Sequence, residues 1–223
     1  INKMNNNLTN IIWSSYIGGN DDDAVYSLSL DKNDDLYITG GTQSPNFPVT
    51  PGSLQQTFAG GDCDGFVAHI SKNGQQILQS SDYGYSDYDQ AFFIEANRND
   101  EVFLLGQVES SGSNYIKNAA YNVVNGGLFI TKIKPQLDTI VWSTSLGNPT
   151  GVPPISPTAF LVDLCNKVYV AGWGGPTVNG LGGTAGLPVT NDAYQSTTDN
   201  NDFYLMVIED DASALQYATF FGG

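Results

Sequence analysis

The sequence specifies an all-β, β-propeller-like fold: three four-stranded antiparallel blades forming a partial propeller, with one leading strand ahead of them. Two recurring motifs and a strand-period alternation lead to this reading. The segment Leu36-Tyr37-Ile38-Thr39-Gly40 returns as Val102-Phe103-Leu104-Leu105-Gly106 and as Val168-Tyr169-Val170-Ala171-Gly172, in steps of 66 residues (36 to 102, 102 to 168). In counterpoint run Trp13-Ser14-Ser15-Tyr16-Ile17-Gly18-Gly19, Trp142-Ser143-Thr144-Ser145-Leu146-Gly147 and Tyr217-Ala218-Thr219-Phe220-Phe221-Gly222-Gly223, with a degraded copy at Gln79-Ser80-Ser81-Asp82-Tyr83-Gly84. A period this long, made of short strands, belongs to propeller blades rather than helical solenoids.

Within the first unit, Ala24, Tyr26, Leu28 and Leu30 alternate with Val25, Ser27 and Ser29, the pattern of a strand with one buried face. Asp31-Lys32-Asn33-Asp34 follows as a turn, rich in residues that bond to their own backbone and tolerate left-handed geometry. Residues 36–39 form a second strand stopped by Gly40-Gly41, and a long connection over about 42–64 carries Pro45, Pro48 and Pro51. Residues 66–70 form the third strand. The Asn73-Gly74 pair marks a hairpin turn, and residues 77–81 form the fourth strand. The same grammar predicts strands near 90–96, 101–106, 128–134 and 139–146, then near 158–164, 167–173, 203–209 and 214–221. One unpaired strand over 11–17 precedes them, and no helix is expected. The blades therefore divide the chain into 20–84, 85–147 and 148–223, with 1–19 as a leading strand that completes a preceding blade.

The internal copies act as controls on one another. The inward positions of the first strands read Tyr26, Leu28, Leu30; Phe92, Ile94, Ala96; Thr158, Phe160, Val162. Eight of the nine are apolar, so this slot is expected in the core. The first turns keep small polar residues while their charge changes sign, which points to backbone geometry. His69 is replaced by Lys132 and Val207 in the other units, so its slot is expected to face solvent, and a catalytic or metal role for this single histidine finds no support.

Together these motifs resemble the SBBP-type β-propeller repeat of bacteria. The matching pieces are residues 13–19, 36–40, Phe47-Pro48-Val49-Thr50-Pro51-Gly52-Ser53 and Asp64-Gly65-Phe66-Val67-Ala68-His69, with Leu187-Pro188-Val189-Thr190-Asn191-Asp192-Ala193 and residues 202–208 in the third unit. In the second unit Tyr115-Ile116-Lys117-Asn118 replaces the Phe-Pro motif. Residues 163–175 are similar to a version found in large Bacteroidetes surface proteins, which often carry gliding-motility or type IX secretion domains. The resemblance implies an extracellular or outer-surface location, an adhesive role and no catalytic residues.

A net charge of −15, from 23 acids against 8 bases, argues against nucleic acid and anionic membrane surfaces as partners, since both require basic patches. No apolar run approaches the length of a transmembrane helix. Beginning at Ile1 and ending on the Gly222-Gly223 of a repeat motif, the chain reads as a piece of a longer propeller, or as one protomer of an assembly that completes the ring. A disulfide between Cys63 and Cys165 is not expected, because their slots lie two blades apart.

Several features carry candidate chemistry. Asp21, Asp22 and Asp23, and Asp31, Asn33 and Asp35, cluster hard oxygen donors of the kind Ca²⁺ prefers; turn formation and solvation account for the same residues without a metal. The glycine-rich run from Gly172 through Gly180 to Gly186 has no Gly-Lys-Ser/Thr and no following helix, so it reads as an insertion rather than a phosphate loop. Trp173, Tyr83, Tyr85 and Tyr88 offer surfaces for a protein or glycan partner, or else pack between blades. The connections over 42–64, 107–127 and 173–202 are long enough to form a recognition face. The function expected is thus a non-enzymatic interaction or adhesion module. The other readings are a carbohydrate-active enzyme using an Asp/Glu pair and a purely structural repeat in a stalk or filament.

Overall fold

A computed structural model describes residues 1–109, 114–175 and 182–223. The remaining positions, which include Gly180 and residues 176–181 of the glycine-rich run, lie outside the described residues. A short hairpin comes first, β1 (Asn2–Met4) with β2 (Ile11–Ser14). Three antiparallel meanders follow: β3 (Asp23–Leu30) to β4 (Leu36–Thr42), β5 (Asp64–Ile70) and β6 (Ile77–Tyr83); β7 (Asp89–Ala96) to β8 (Val102–Val108), β9 (Leu128–Ile133) and β10 (Ile140–Leu146); and β11 (Ser156–Val162) to β12 (Val168–Trp173), β13 (Phe203–Ile208) and β14 (Leu215–Phe221). The fold is all-β, with three four-stranded blades arranged as a partial propeller, and no described residue is helical. Among the described residues no helix is long and apolar enough to cross a membrane. The leading strand is not unpaired as expected, because β1 pairs with it.

The blades stack face to face. Tyr37, Val67 and Tyr83 of blade 1 pack into Ile94, Val102, Leu104 and Phe129 of blade 2. The other face of blade 2, with Phe103, Leu105, Ile130 and Trp142, packs into Phe160, Val170, Tyr204 and Met206 of blade 3. First strands lie side by side at the centre, where Ser27 and Ser29 of β3 accept the Ile94 and Ala96 amides of β7 at 3.3 and 3.1 Å.

Each first strand carries a one-residue bulge, at Tyr26, Phe92 and Thr158. The bulge brings the two strands so close that a Cβ at Gly40 would strike the Ala24 carbonyl oxygen, and one at Gly106 that of Gln90. This is why the repeated strand motif ends in glycine. The expectation for the first strands is corrected as well: Tyr26, Leu28 and Leu30 are exposed, since no blade among the described residues covers them, whereas Ile94 is buried against blade 1 and Phe160 against blade 2.

The slot expected to face solvent faces the following blade instead. His69 stacks on Tyr37 with ring centres 4.1 Å apart, and Lys132 is buried between Glu101 and Asp210 at 3.1 and 3.2 Å.

The long connections do not project freely. Each is bound along the outer strand of its own blade: Thr50 donates its amide to Ser80 O at 2.9 Å, Lys117 and Ser143 exchange backbone bonds at 2.8 Å, and Thr190 donates to Ala218 O at 3.1 Å. The outer edge, a row of unpaired amides and carbonyls in a bare sheet, is covered in this way. Cys63 and Cys165 are both free thiols.

Candidate functional site

The first turn of each blade is built on one side chain. Asp31 Oδ1 accepts the Asn33 and Asp35 amides at 2.7 and 2.9 Å. Asn97 Oδ1 accepts those of Asn99 and Glu101, both at 2.9 Å. Asp163 Oδ1 accepts those of Cys165 and Lys167, at 2.8 and 2.9 Å. A neutral amide oxygen does in blade 2 what a carboxylate does in blades 1 and 3, so the shared requirement is an acceptor that closes the turn.

Of the acidic residues singled out from the sequence, Asp31 and Asp35 converge, and the third partner is His69 rather than Asn33. One ligand atom from each of the three lies within 4.8 Å of the others. Asp31 Oδ2 is 3.4 Å from His69 Nε2, and Asp35 Oδ1 already accepts the Lys72 amide at 2.7 Å. Burial resists ionisation of Asp31, but the Asp35 and Asn33 amides and the nearby imidazole outweigh it and hold its carboxyl below the usual range. Burial pushes His69 down, against the pull of Asp31 and Asp35, which favours the neutral ring. Two carboxylate oxygens and a neutral imidazole nitrogen form a donor set suited to a divalent transition-metal ion more than to Ca²⁺, whose ligands are all oxygens. In blade 2 the corresponding place is filled by the Lys132 ammonium against Glu101.

Asp21, Asp22 and Asp23 do not join this group. Asp21 and Asp22 are exposed. Asp23 Oδ2 anchors its loop by accepting the Gly19 amide at 2.7 Å and the Ser44 hydroxyl at 3.0 Å. Asp89 repeats that role in blade 2, accepting the Tyr85 amide at 2.6 Å.

The four aromatic residues do not form one surface. Tyr83 must be withdrawn as a partner-binding residue: it is buried between blades 1 and 2, and its hydroxyl bonds with Thr131 and lies 3.4 Å from Ser143 Oγ. Its place at the end of a fourth strand turns the ring into the seam. Tyr85 is exposed and donates to Asn114 O at 3.0 Å. Tyr88 is half-buried nearby, and Trp173 is half-buried at the end of β12 on a different blade.

A polar device escapes the sequence reading. Gln55 Oε1 accepts the Gly84 amide at 3.1 Å, and its amide nitrogen donates to Thr57 O at 3.0 Å and approaches Asp64 Oδ2 at 3.5 Å. In blade 3, Gln195 Oε1 accepts the Gly222 amide at 3.1 Å, and its nitrogen donates to Thr197 O at 2.8 Å and to Asp202 Oδ2 at 3.1 Å. Each glutamine thus clamps the long connection to the end of the fourth strand. The signal lay in the spacing, since Gln55 and Gln195 each stand five residues beyond the threonine of the Pro-Val-Thr motif (50 to 55, 190 to 195).

Comparison with known families places a match over residues 12–48, to the family model described as SBBP, a beta-propeller repeat. No curated protein matches the chain. The matched stretch runs from β2 through β3 and β4 into the first connection, and includes the Asp23 anchor and the Asp31 turn. A β-propeller repeat fold suggests a protein-interaction or structural module.

Proposed function

We propose that this chain is a non-enzymatic interaction module of a secreted or cell-surface polypeptide, engaging a protein or glycan partner along the outer rim of its blades. One observation carries the reading. The polar side chains that recur between blades spend their hydrogen bonds on the chain's own backbone, as Asp23 with Asp89, Asp31 with Asp163 and Gln55 with Gln195 do. The connections they hold differ in sequence from blade to blade. Repetition maintains a rigid frame, and variation falls on exposed tips, an arrangement suited to recognition. The net charge of −15 favours a partner other than nucleic acid or an anionic membrane. The likeness to repeats of bacterial surface proteins supports export and adhesion, with other blades of a larger polypeptide as neighbours.

The test replaces residues 56–62, between Gln55 and Asp64, with a glycine-serine stretch of equal length. Both proteins are applied to a glycan array and to a panel of immobilised extracellular proteins. Saturable binding that weakens about tenfold or more in the variant supports the proposal, provided Tm moves by no more than about 2 °C. Turnover of an arrayed glycan would replace it with a carbohydrate-active enzyme. Absence of saturable binding on either surface would replace it with a structural spacer.

A further inference from the structure

His69 is the single histidine of the chain, and strand pairing fixes where its ring lies. Tyr37 of β4 pairs with His69 of β5, and the two rings stack with centres 4.1 Å apart. The Tyr37 hydroxyl donates to Pro135 O of blade 2 at 3.1 Å, so the ring beneath the imidazole is held by the neighbouring blade. His69 Nε2 is buried and has no hydrogen-bond partner among the described residues. Asp31 Oδ2 lies 3.4 Å from it. A buried ring nitrogen without a partner carries the full cost of its desolvation. A cation held between that nitrogen and the carboxylate oxygen would satisfy both.

The spacing is that of a coordination sphere. Two ligand atoms each about 2.1 Å from a tetrahedral ion stand about 3.4 Å apart. The turn uses Asp31 Oδ1 for the Asn33 and Asp35 amides, which directs Oδ2 toward the imidazole. Oδ2 also meets the Asn33 side-chain amide, at 3.4 Å. Asp35 brings the third ligand atom, within 4.8 Å of the other two. Its carboxylate is steadied by the Lys72 amide, which donates to Oδ1 at 2.7 Å.

The other blades supply positive charge at this end of the sheet from their own side chains. Lys132 pairs with Phe103 as His69 pairs with Tyr37, and its ammonium lies 3.1 Å from Glu101, which stands where Asp35 does. In blade 3 the residue at the Asp35 place is itself a lysine, Lys167, which reaches Glu209 at 3.4 Å. Blade 1 gathers two carboxylates and an imidazole instead. Its nearby ammonium groups are engaged elsewhere, Lys32 with Asp100 at 2.6 Å and Lys72 with Asn33 O at 3.5 Å.

We propose that Asp31, Asp35 and His69 bind a divalent transition-metal ion, which fastens the β3–β4 turn to β5. Zn²⁺ suits the set, since it takes carboxylate oxygen together with imidazole nitrogen and favours tetrahedral geometry. The β3–β4 turn lies at the opposite end of β4 from the long connection that leads to β5. The ion therefore braces the frame, and the proposal stands or falls apart from rim binding.

The experiment strips the chain with EDTA and titrates it by calorimetry with Zn²⁺ alone and, separately, with Ca²⁺ alone. Nitrogen-resolved NMR follows the single imidazole. The expected result is saturable Zn²⁺ binding about tenfold or more tighter than that of Ca²⁺, with the coordination shift at Nε2. Asp31→Asn and His69→Lys each install the residue that blade 2 carries at that place, where Asn97 closes the turn and Lys132 is accommodated. Each should weaken Zn²⁺ binding about tenfold or more, while Tm of the metal-free chain moves by no more than about 2 °C. Absence of saturable Zn²⁺ binding, or a coordination shift at Nδ1, overturns the proposal. Ca²⁺ binding as tight as that of Zn²⁺ overturns it in favour of an all-oxygen loop. Zn²⁺ affinity that survives both substitutions overturns it by placing the ion elsewhere on the acidic surface. The NMR readout comes from the unsubstituted chain, so the outcome does not depend on how the variants fold.

Discussion

Asp64, Asp82 and Asp89 are buried carboxylates, and the Oδ1 of each has no hydrogen-bond partner among the described residues. Burial pushes all three up to about 7, with the nearby charge of Asp82 adding to the effect at Asp64, that of Asp23 at Asp82 and that of Asp64 at Asp89. Between the ordinary aspartate value near 4 and about 7, the folded chain holds protons that the unfolded chain has released. Stability from these groups is therefore complete at low pH and is lost as pH rises through about 7. The lowered carboxyls of Asp31, Asp163 and Asp211 act oppositely, but only as pH falls toward and below 4. Thermal melts should show Tm falling between pH 5 and pH 8. Asp82→Asn, which cannot ionise, should flatten the fall and raise Tm at pH 8. A profile unchanged by the substitution would show that Asp82 is not among the titrating groups. None of this was legible in the sequence, where an aspartate beside Tyr83 in a degraded motif looks like any of 23 acids.

At the scale of the element, the first pair of strands in each blade is defined by its bulge and by the glycine opposite. A Cβ at Gly106 would meet both the Gln90 carbonyl and the Phe129 ring, while one at Gly52, whose φ is +82°, would meet nothing within 4 Å. Gly106→Ala should then cost about 1–3 kcal/mol through overpacking, the strand and ring having to yield together. Gly52→Ala should cost about 1 kcal/mol through its left-handed backbone alone. Urea midpoints of the two variants decide the matter, and equal shifts would count against the close approach of β7 and β8. The repeat of Gly40, Gly106 and Gly172 announced a constraint in the sequence, but the reason needed the bulge. Alternation misplaced Tyr26 for a different reason: no blade among the described residues covers it.

For the whole molecule, the seams between blades dominate. Leu146 and Phe221 occupy the same place at the end of a fourth strand, yet Leu146 is 2% exposed beneath blade 3 and Phe221 is 57% exposed on the open face of blade 3. Leu146→Ala should cost about 2–5 kcal/mol, the usual range for a cavity in a packed core. Phe221→Ala should stay within about 0.5 kcal/mol, as exposed substitutions do. A large loss at Phe221, measured by denaturant unfolding, would mean that its face is already covered in solution. Tyr169 and Leu205, 37% and 42% exposed beside it, match Tyr37 and Val67 at positions that the blade 1–2 seam buries completely.

The sequence by itself determined the repeat, the four strands of each blade, the turn residues and the place of each long connection. Those features come from local chemistry: alternation, left-handed tolerance at turns, and glycine or proline where strands stop. Tertiary structure alone decided which face of each strand is buried, because a face is core only where a neighbouring blade lies against it. It also decided that Tyr83 is interior, that His69 meets Asp31 and Asp35, and that Gln55 and Gln195 act as clamps. Asp31 stands 38 residues before His69 (31 to 69), and Gln195 acts on a glycine 27 residues beyond it (195 to 222). Such pairs depend on the register of strands and the stacking of blades, which no local pattern in one chain encodes.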